Sequence, residues 1–296
     1  MRIVVIIVVM VLAVSPVWGN DGLSLLKIES GAHPSGMGGA FVTIGNTPDA
    51  ISYNPAGASG VTDFTISLGH TSYWENIRME TAHFAMGLSP KVYLHGGIRY
   101  ATVDGLEMRG DAPSEFPRGM FDLHDISFKS GLAFQITDRL ATGFSVGWIV
   151  EKIEAWRGSA FNIDYGLQAQ ASENLRFGVS ATNIGSDFKL TKSTGNESRP
   201  ISLPSTYRLG ASYQRERYLG VANIVHVDDK LHLHLGAEAK VHKFFQVRAG
   251  YVFNYDVENF SAGATFTKQN LKVDYAFVPY QRDLGTSHMF NLSFSL

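Results

Sequence analysis

The chain has 296 residues, a formal net charge of −2 and no cysteine. Near-neutral charge leaves no electrostatic footprint for a nucleic-acid partner, and the missing thiols exclude disulfides, thiolate zinc sites, iron–sulfur clusters and a lipidated cysteine anchor. The 30 glycines and the 12% of aromatic residues favour many strands and tight turns over helices.

The first element is Met1-Arg2, an apolar run over 3–14, then Ser15-Pro16-Val17-Trp18-Gly19-Asn20. The run falls short of the ~20 apolar residues of a membrane helix. Val17 and Gly19 supply a small-residue cleavage site, so 1–19 is expected to be a signal peptide and the mature chain to begin near Asn20. No later stretch is long and apolar enough for a membrane helix, so hydropathy alone would describe the mature chain as soluble. Strand periodicity contradicts that description.

Residues 20–60 neither alternate in polarity nor have the composition of a disordered segment. Their core runs Gly31-Ala32-His33-Pro34-Ser35-Gly36-Met37-Gly38-Gly39-Ala40-Phe41-Val42, then Thr47-Pro48-Asp49-Ala50-Ile51-Ser52-Tyr53-Asn54-Pro55-Ala56-Gly57. Thr47 before Pro48 and Asp49 predicts a helix start, and Asn54-Pro55 should end that helix after roughly two turns. Gly36, Gly38 and Gly39 permit tight turns and close backbone approach. No Lys-Ser/Thr follows them and there is no strand–helix context, so this is no phosphate loop. The expectation is a compact plug or periplasmic lid over 20–60, followed by a barrel over 61–296.

After Gly60, period-two alternation recurs almost everywhere. Ile126, Phe128, Leu132, Phe134 and Ile136 share one face, opposite Asp125, Ser127, Lys129, Gly131 and Gln135. Leu140, Phe144, Val146, Trp148 and Val150 then alternate with Arg139, Gly143, Ser145, Gly147 and Glu151. The pattern predicts strands at 62–74, 78–89, 92–103, 123–137, 139–152, 159–171, 174–184, 205–215, 217–227, 231–241, 244–254, 258–268, 270–279 and 285–296. Fourteen is an even number, as bacterial single-chain outer-membrane barrels require. Links after even-numbered strands are tight, whereas 104–122 and 185–204 are long, and every other odd-numbered link is expected to equal or exceed its neighbours. This is the alternation of short periplasmic turns with longer external loops. The fold class is therefore all-β, a transmembrane antiparallel barrel of about fourteen strands with an N-terminal plug, both termini being expected in the periplasm.

The inward face carries both signs of charge: Arg99, Lys129, Glu151, Asp164, Arg176, Arg208, Glu238, Arg248, Lys272 and Asp274. Mixed signs point to internal pairing. Glycines recur on that face, among them Gly166, Gly178, Gly210, Gly236 and Gly250, either to bend the wall or to leave room for the plug. Aromatic residues such as Tyr73, Trp74, Tyr93, Tyr100, Trp156, Tyr251, Tyr275 and Tyr280 lie mostly toward strand ends, as interfacial girdles do. His232 and His234 share one strand face near His226, but rim or lumen polarity accounts for them without a metal. Ser287 and His288 are adjacent and so face opposite sides, while His83 and His95 face inward without a nucleophile motif. No enzyme, metal or cofactor is expected.

The pattern Gly31-Ala32, Gly36-Met37-Gly38-Gly39-Ala40, Asp49 and Asn54-Pro55-Ala56-Gly57 resembles the N-terminal region of the PorV/PorQ and FadL-like outer-membrane families. Leu203-Pro204-Ser205-Thr206-Tyr207-Arg208-Leu209-Gly210-Ala211-Ser212-Tyr213 is similar to the PorV/PorQ segment entering the eighth strand. The length favours the PorV/PorQ resemblance, which implies a non-enzymatic partner of secretion-machinery or surface proteins. The FadL-like resemblance implies fourteen strands, an N-terminal hatch and transport of long-chain fatty acids or other hydrophobic small molecules. Both imply outer-membrane lipid around the barrel, and they make the plug motif the candidate site.

Overall fold

A computed structural model of the chain describes Leu23, residues 26–73 and residues 76–296. The expected signal peptide over 1–19, the start near Asn20 and Trp74 lie outside the described residues. Fourteen strands form the wall: β1 (Thr65–Ser72), β2 (Ile77–Ser89), β3 (Val92–Met108), β4 (Gly119–Thr137), β5 (Leu140–Ile153), β6 (Trp156–Gln170), β7 (Leu175–Gly185), β8 (Thr206–Arg215), β9 (Tyr218–Val227), β10 (Lys230–His242), β11 (Phe245–Phe253), β12 (Phe260–Lys268), β13 (Leu271–Pro279) and β14 (Thr286–Ser295). A two-residue strand, Thr191–Lys192, rests on Trp156 and Arg157 outside this ring.

All neighbours pair antiparallel, and β1 pairs with β14, Leu68 lying opposite Leu292. The ring therefore closes and leaves no sheet edge. Polarity is inverted relative to a soluble barrel. On β5, Phe144, Val146 and Trp148 are 44%, 55% and 39% exposed on the outer face, while Ser145 and Glu151 are 3% and 7% exposed inside. Only an apolar surround makes that arrangement favourable, and nine-residue strands such as β11 meet the ~9–11 residues of a tilted crossing.

The link pattern departs from expectation in two places. β3 runs on to Met108 and β4 starts at Gly119, so only 109–118 is irregular in the expected 104–122 loop. There β3 outlasts β2, whose Ile77 ends opposite Val103, and a two-stranded ribbon carries Leu106 opposite Phe121. Apolar and polar residues alternate along this ribbon as well, so strand pairing extends past the expected boundary. The link between β5 and β6 has two residues, 154–155, and the one between β6 and β7 has four, 171–174, which breaks the expected parity. Glu154, at φ 56°, makes the tighter turn possible.

Inside the ring lie α1 (Ala32–Gly36) and two 3-10 segments, Pro48–Ser52 and Pro55–Ala58. The expected two-turn helix begins where predicted, after Thr47, but is only this short 3-10 segment. Asn54 is held extended at φ −159° because it precedes Pro55, which leaves too few residues for two α-turns. Leu23 and Leu26 pack against Ile149, Ala160 and Leu203 at the long-loop rim, whereas the amide of Leu296 donates to Phe64 at the short-turn rim. Leu23 and Leu26 thus lie at the rim opposite Leu296. The reason is packing: the N-terminal leg carries leucines that the polar plug bed cannot bury.

Several inward glycines exist for the plug. A Cβ on Gly143 would stand 2.5 Å from the Pro55 carbonyl carbon, one on Gly178 2.5 Å from the Val42 oxygen, and one on Gly236 2.8 Å from the Met37 oxygen. One on Gly250 would run into the backbone of Met37 and Gly38. Others, such as Gly97 beneath His83 and Gly147 beneath Asn162, make room for wall side chains. Gly250→Leu is expected to destabilise the barrel by more than about 1 kcal/mol through overpacking. Gly220→Leu, on the outer face with no atom within 4 Å of its Cβ position, should be near neutral, and denaturant unfolding in vesicles compares the two.

Candidate functional site

The motif residues Gly36, Met37, Gly38, Gly39, Ala40, Asp49, Asn54, Pro55, Ala56 and Gly57 are all buried inside the barrel. Gly38 and Gly39 adopt φ 61° and 68°, turning the chain sharply against the Gly250 backbone. Asn54 is the central fastener. Its Oδ1 accepts from the Ala56 amide at 3.0 Å, and its Nδ2 faces the carbonyls of Val42, Leu167 and Val179 at 2.9, 3.0 and 3.3 Å. Asp49 accepts from Ser67 at 3.2 Å and contacts His83 Nδ1 at 3.1 Å, joining the first 3-10 segment to β1 and β2. Pro55 and Ala56 fill the notch at Gly143.

The wall answers with residues that periodicity placed on the inner face without assigning them a role. Gln168 donates to the Val42 and Ile44 carbonyls, both at 3.0 Å. Asn291 accepts from the Ala32 amide at 2.8 Å. Oriented by its neighbours, the Asn223 amide oxygen accepts from Phe41 and Val42 at 2.8 and 3.2 Å. His234 Nδ1 meets the Gly38 carbonyl at 2.7 Å and its Nε2 meets the Tyr255 hydroxyl at 3.0 Å, so it anchors the plug. Inward Asn and Gln at mid-strand were the available sequence signal, because a lumen side chain with two donors and an acceptor suits exposed plug backbone.

Several charges inside the wall are paired, as their mixed signs imply, although Asp125 and Glu151 are not. Lys129 lies 2.7 Å from Asp164, Arg248 lies 3.1 Å from Asp274 and 3.2 Å from Glu238, and Lys272 lies 3.1 Å from Asp274. His33 of α1 enters this network, its Nε2 2.9 Å from Glu238 and its Nδ1 3.1 Å from Lys272. A neutral ring accepts from the Lys272 ammonium at Nδ1 and brings Nε2 close to the Glu238 carboxylate. Burial, then Arg248 and Lys272, pushes its pKa down to about 4 against the opposing pull of Glu238.

The plug divides the lumen into two chambers. The one toward the long loops, about 540 Å³ with its open mouth included, is lined by Ile28, Glu29, Tyr53, Arg99, Lys129 and Arg208. The one at the short-turn rim has about 860 Å³ and is lined by His33, Asn46, Arg217, Glu238, Lys240 and Lys272. These two cavities share no lining residue. Between them stand three rings, His33 to Phe41 at 4.9 Å and Phe41 to Tyr53 at 5.5 Å.

Above the upper chamber the leg is latched and covered. Tyr53 donates to the Glu29 carboxylate, Arg99 donates to the Ile28 carbonyl at 2.8 Å, and the Arg208 guanidinium lies 5.4 Å from the Tyr53 ring centre. Burial pushes the Glu29 carboxyl up, opposed by Arg208, the Tyr53 hydrogen bond and Arg99. Beyond the latch, Leu23 and Leu26 bury themselves among Ile149, Phe188, Leu190 and Leu203, flanked by Trp156. This apolar cluster contrasts with the polar lumen below it.

Because the folded pKa of His33 lies below its unfolded value of about 6.5, its contribution to docking is complete above pH 6.5 and is lost as pH falls toward 4. Hydrogen exchange of plug amides, corrected for intrinsic rates, should accelerate over that window. His33→Gln, which keeps a donor and an acceptor without titrating, should flatten the response.

No protein-family model matches the chain. No curated protein matches it in sequence. Solved structures do resemble it: the toluene transporter TodX of Pseudomonas putida has a TM-score of 0.68 at 12% identity over 90% of this chain and 98% of that one. The toluene transporter TbuX of Ralstonia pickettii gives 0.62 at 14%, covering 89% and 96%, and a Pseudomonas aeruginosa FadL homologue gives 0.61 at 12%, covering 93% and 99%. At such identities the likeness concerns fold alone: the chain has a closed fourteen-stranded antiparallel barrel similar to those of these transporters.

Proposed function

We propose that the chain is an outer-membrane conduit for hydrophobic small molecules. The observation that carries this reading is the apolar cluster at the long-loop mouth, Ile149, Phe188, Leu190 and Leu203, covered by the chain's own Leu23 and Leu26. A hydrophobic molecule that displaces those leucines exchanges one apolar contact for another, then stands above the upper chamber, with the plug as the remaining barrier. The channels and transporters that share the fold carry toluene and monoaromatic hydrocarbons by their names, which favours this reading over a barrel that partners secretion-machinery or surface proteins. In this reading 1–19 is a cleaved signal peptide, 20–60 is the hatch with its Gly36–Gly57 motif, and 61–296 is the wall. Outer-membrane lipid surrounds it and Leu296 lies at the periplasmic rim. Conduction calls for no catalysis and no cofactor.

Uptake of radiolabelled toluene and palmitate by cells expressing the full chain tests the proposal. Leu203→Ser should cut uptake about tenfold or more, since removing a buried leucine from the cluster forfeits roughly 1.5–3 kcal/mol of apolar contact. Leu23→Ser with Leu26→Ser should speed it by weakening the cover. Uptake no greater than in cells lacking the protein, or uptake indifferent to Leu203→Ser while gel mobility reports a folded barrel, would sink the reading.

A further inference from the structure

Two residues of the first 3-10 segment meet one residue of the wall in a pattern that anchoring the plug does not require. Asp49 and Ser52 stand three positions apart in Pro48–Ser52, and in a 3-10 helix side chains at i and i+3 eclipse, so both leave the same face of the segment. His83 of β2 lies between them. Its Nδ1 stands 3.1 Å from Asp49 Oδ1 and its Nε2 3.4 Å from Ser52 Oγ. The register partner of His83 on β3 is Gly97, where a Cβ would run into the imidazole, so the missing side chain leaves the ring this position.

The carboxylate sets the tautomer. An ionised carboxylate only accepts, and among the described residues the one ion-pair partner of Asp49 is His83, so Nδ1 carries the proton and Nε2 keeps the lone pair that takes the Ser52 hydroxyl. Ser67 and Asn291 donate to the same carboxylate at 3.2 and 3.5 Å and hold it in place. Asp49 and His83 are buried, whereas Ser52 is half-buried and lines the upper chamber. A base and the group that orients it are thus shielded, and the hydroxyl faces open space. Arg99, Lys129 and Arg208 line that chamber too, against the single carboxylate of Glu29, itself latched by Tyr53. This excess of fixed positive charge suits an oxyanion developing beside Ser52.

We propose that Ser52, His83 and Asp49 form a hydrolytic centre for esters of apolar acids, opening into the upper chamber. Ser52 Oγ attacks the ester carbonyl carbon while its proton passes to His83 Nε2, and Asp49 stabilises the imidazolium. As the tetrahedral intermediate collapses, the C–O bond to the alcohol breaks and Nε2 gives the proton to the departing oxygen. Water then attacks the acyl carbon on Ser52 and passes a proton to Nε2. The bond to Oγ breaks and Oγ takes that proton back. One ester and one water leave as an alcohol and a carboxylic acid. An ester of an apolar acid is uncharged and suits the apolar cluster of Ile149, Phe188, Leu190 and Leu203, whereas the acid formed meets Arg99, Lys129 and Arg208. That entry route rests on the conduit reading; the chemistry at Ser52 does not.

Hydrolysis of p-nitrophenyl butyrate by the full-length protein in detergent, where no membrane has to be crossed, tests this centre apart from conduction. Wild type is expected to release p-nitrophenol about a hundredfold faster than Ser52→Ala, the lower end of what a positioned base contributes. His83→Gln keeps a donor for Asp49 and an acceptor for Ser52 but takes up no proton, and should lose as much. Heat-modifiable gel mobility reports whether each variant is a folded barrel. A fluorophosphonate should bond to Ser52 in wild type, read as the mass of the peptide carrying it, and should leave Ser52 unmodified in His83→Gln. Leu23→Ser with Leu26→Ser repeats both measurements with the cover weakened, so that a closed leg does not hide the site. If neither wild type nor the leucine variant hydrolyses the ester faster than Ser52→Ala, the proposal is overturned and Asp49 and His83 are plug anchors only. Hydrolysis that survives Ser52→Ala, with the label on another residue, overturns it as well.

Discussion

Hydrocarbon offers no hydrogen-bond partner to a peptide group, and every other feature of this molecule follows from that constraint. An unsatisfied N–H or C=O in the bilayer core costs several kcal/mol, so a strand architecture survives there only if its ladder closes on itself. Pairing of β1 with β14 completes that closure. With every edge consumed, the two faces of each strand divide the work. Phe144, Val146 and Trp148 meet lipid, and their sequence neighbours are left with the interior.

An interior made of polar residues then needs something polar to hold. The plug is that partner, and it is bound chiefly through its backbone: Val42 alone offers its carbonyl to Asn54 and Gln168 and its amide to Asn223. Backbone-directed contacts leave the plug's few apolar side chains, Met37, Phe41 and Ala40, to pack among themselves and against glycine-lined wall. The same arrangement makes the plug dependent on protonation at His33, where one neutral ring sits between a carboxylate and an ammonium.

The long-loop end follows different physics. Leu23 and Leu26 could not be buried in the polar bed, so the leg carries them to the rim, where the 186–205 link provides Phe188, Leu190 and Leu203. Glu29, latched by Tyr53, marks the change from polar plug to apolar cover. Two cavities that share no lining residue, three adjacent rings between them and an apolar mouth above give the barrel an order of compartments along its axis.

The wall was legible in the sequence because strand polarity is a local, period-two property that lipid enforces on every strand in the same way. Fourteen strands, their faces and the inward charges could all be read from neighbours two apart. The plug was legible as a motif and a place, from Gly36 to Gly57, but its shape was not. Pro55 shortened a helix that Thr47 and Pro48 announced, and the direction of the leg depended on where a remote loop put Phe188 and Leu203. Inward glycines were visible as a set, yet local pattern could not say that Gly143, Gly178 and Gly250 faced plug backbone while Gly97 and Gly147 faced wall side chains. Nor could it say that Asn54 would fasten 42, 167 and 179 together, or that Asp125 would stand opposite Glu151 with no cation beside it. Sequence by itself determined the polarity of each strand, since that is set by the solvent on either side. Tertiary structure alone decided which polar groups find one another, because those contacts join plug to wall and strand to strand, some more than a hundred positions apart as Gln168 with Val42 and His234 with Gly38, and exist only once the ring has closed.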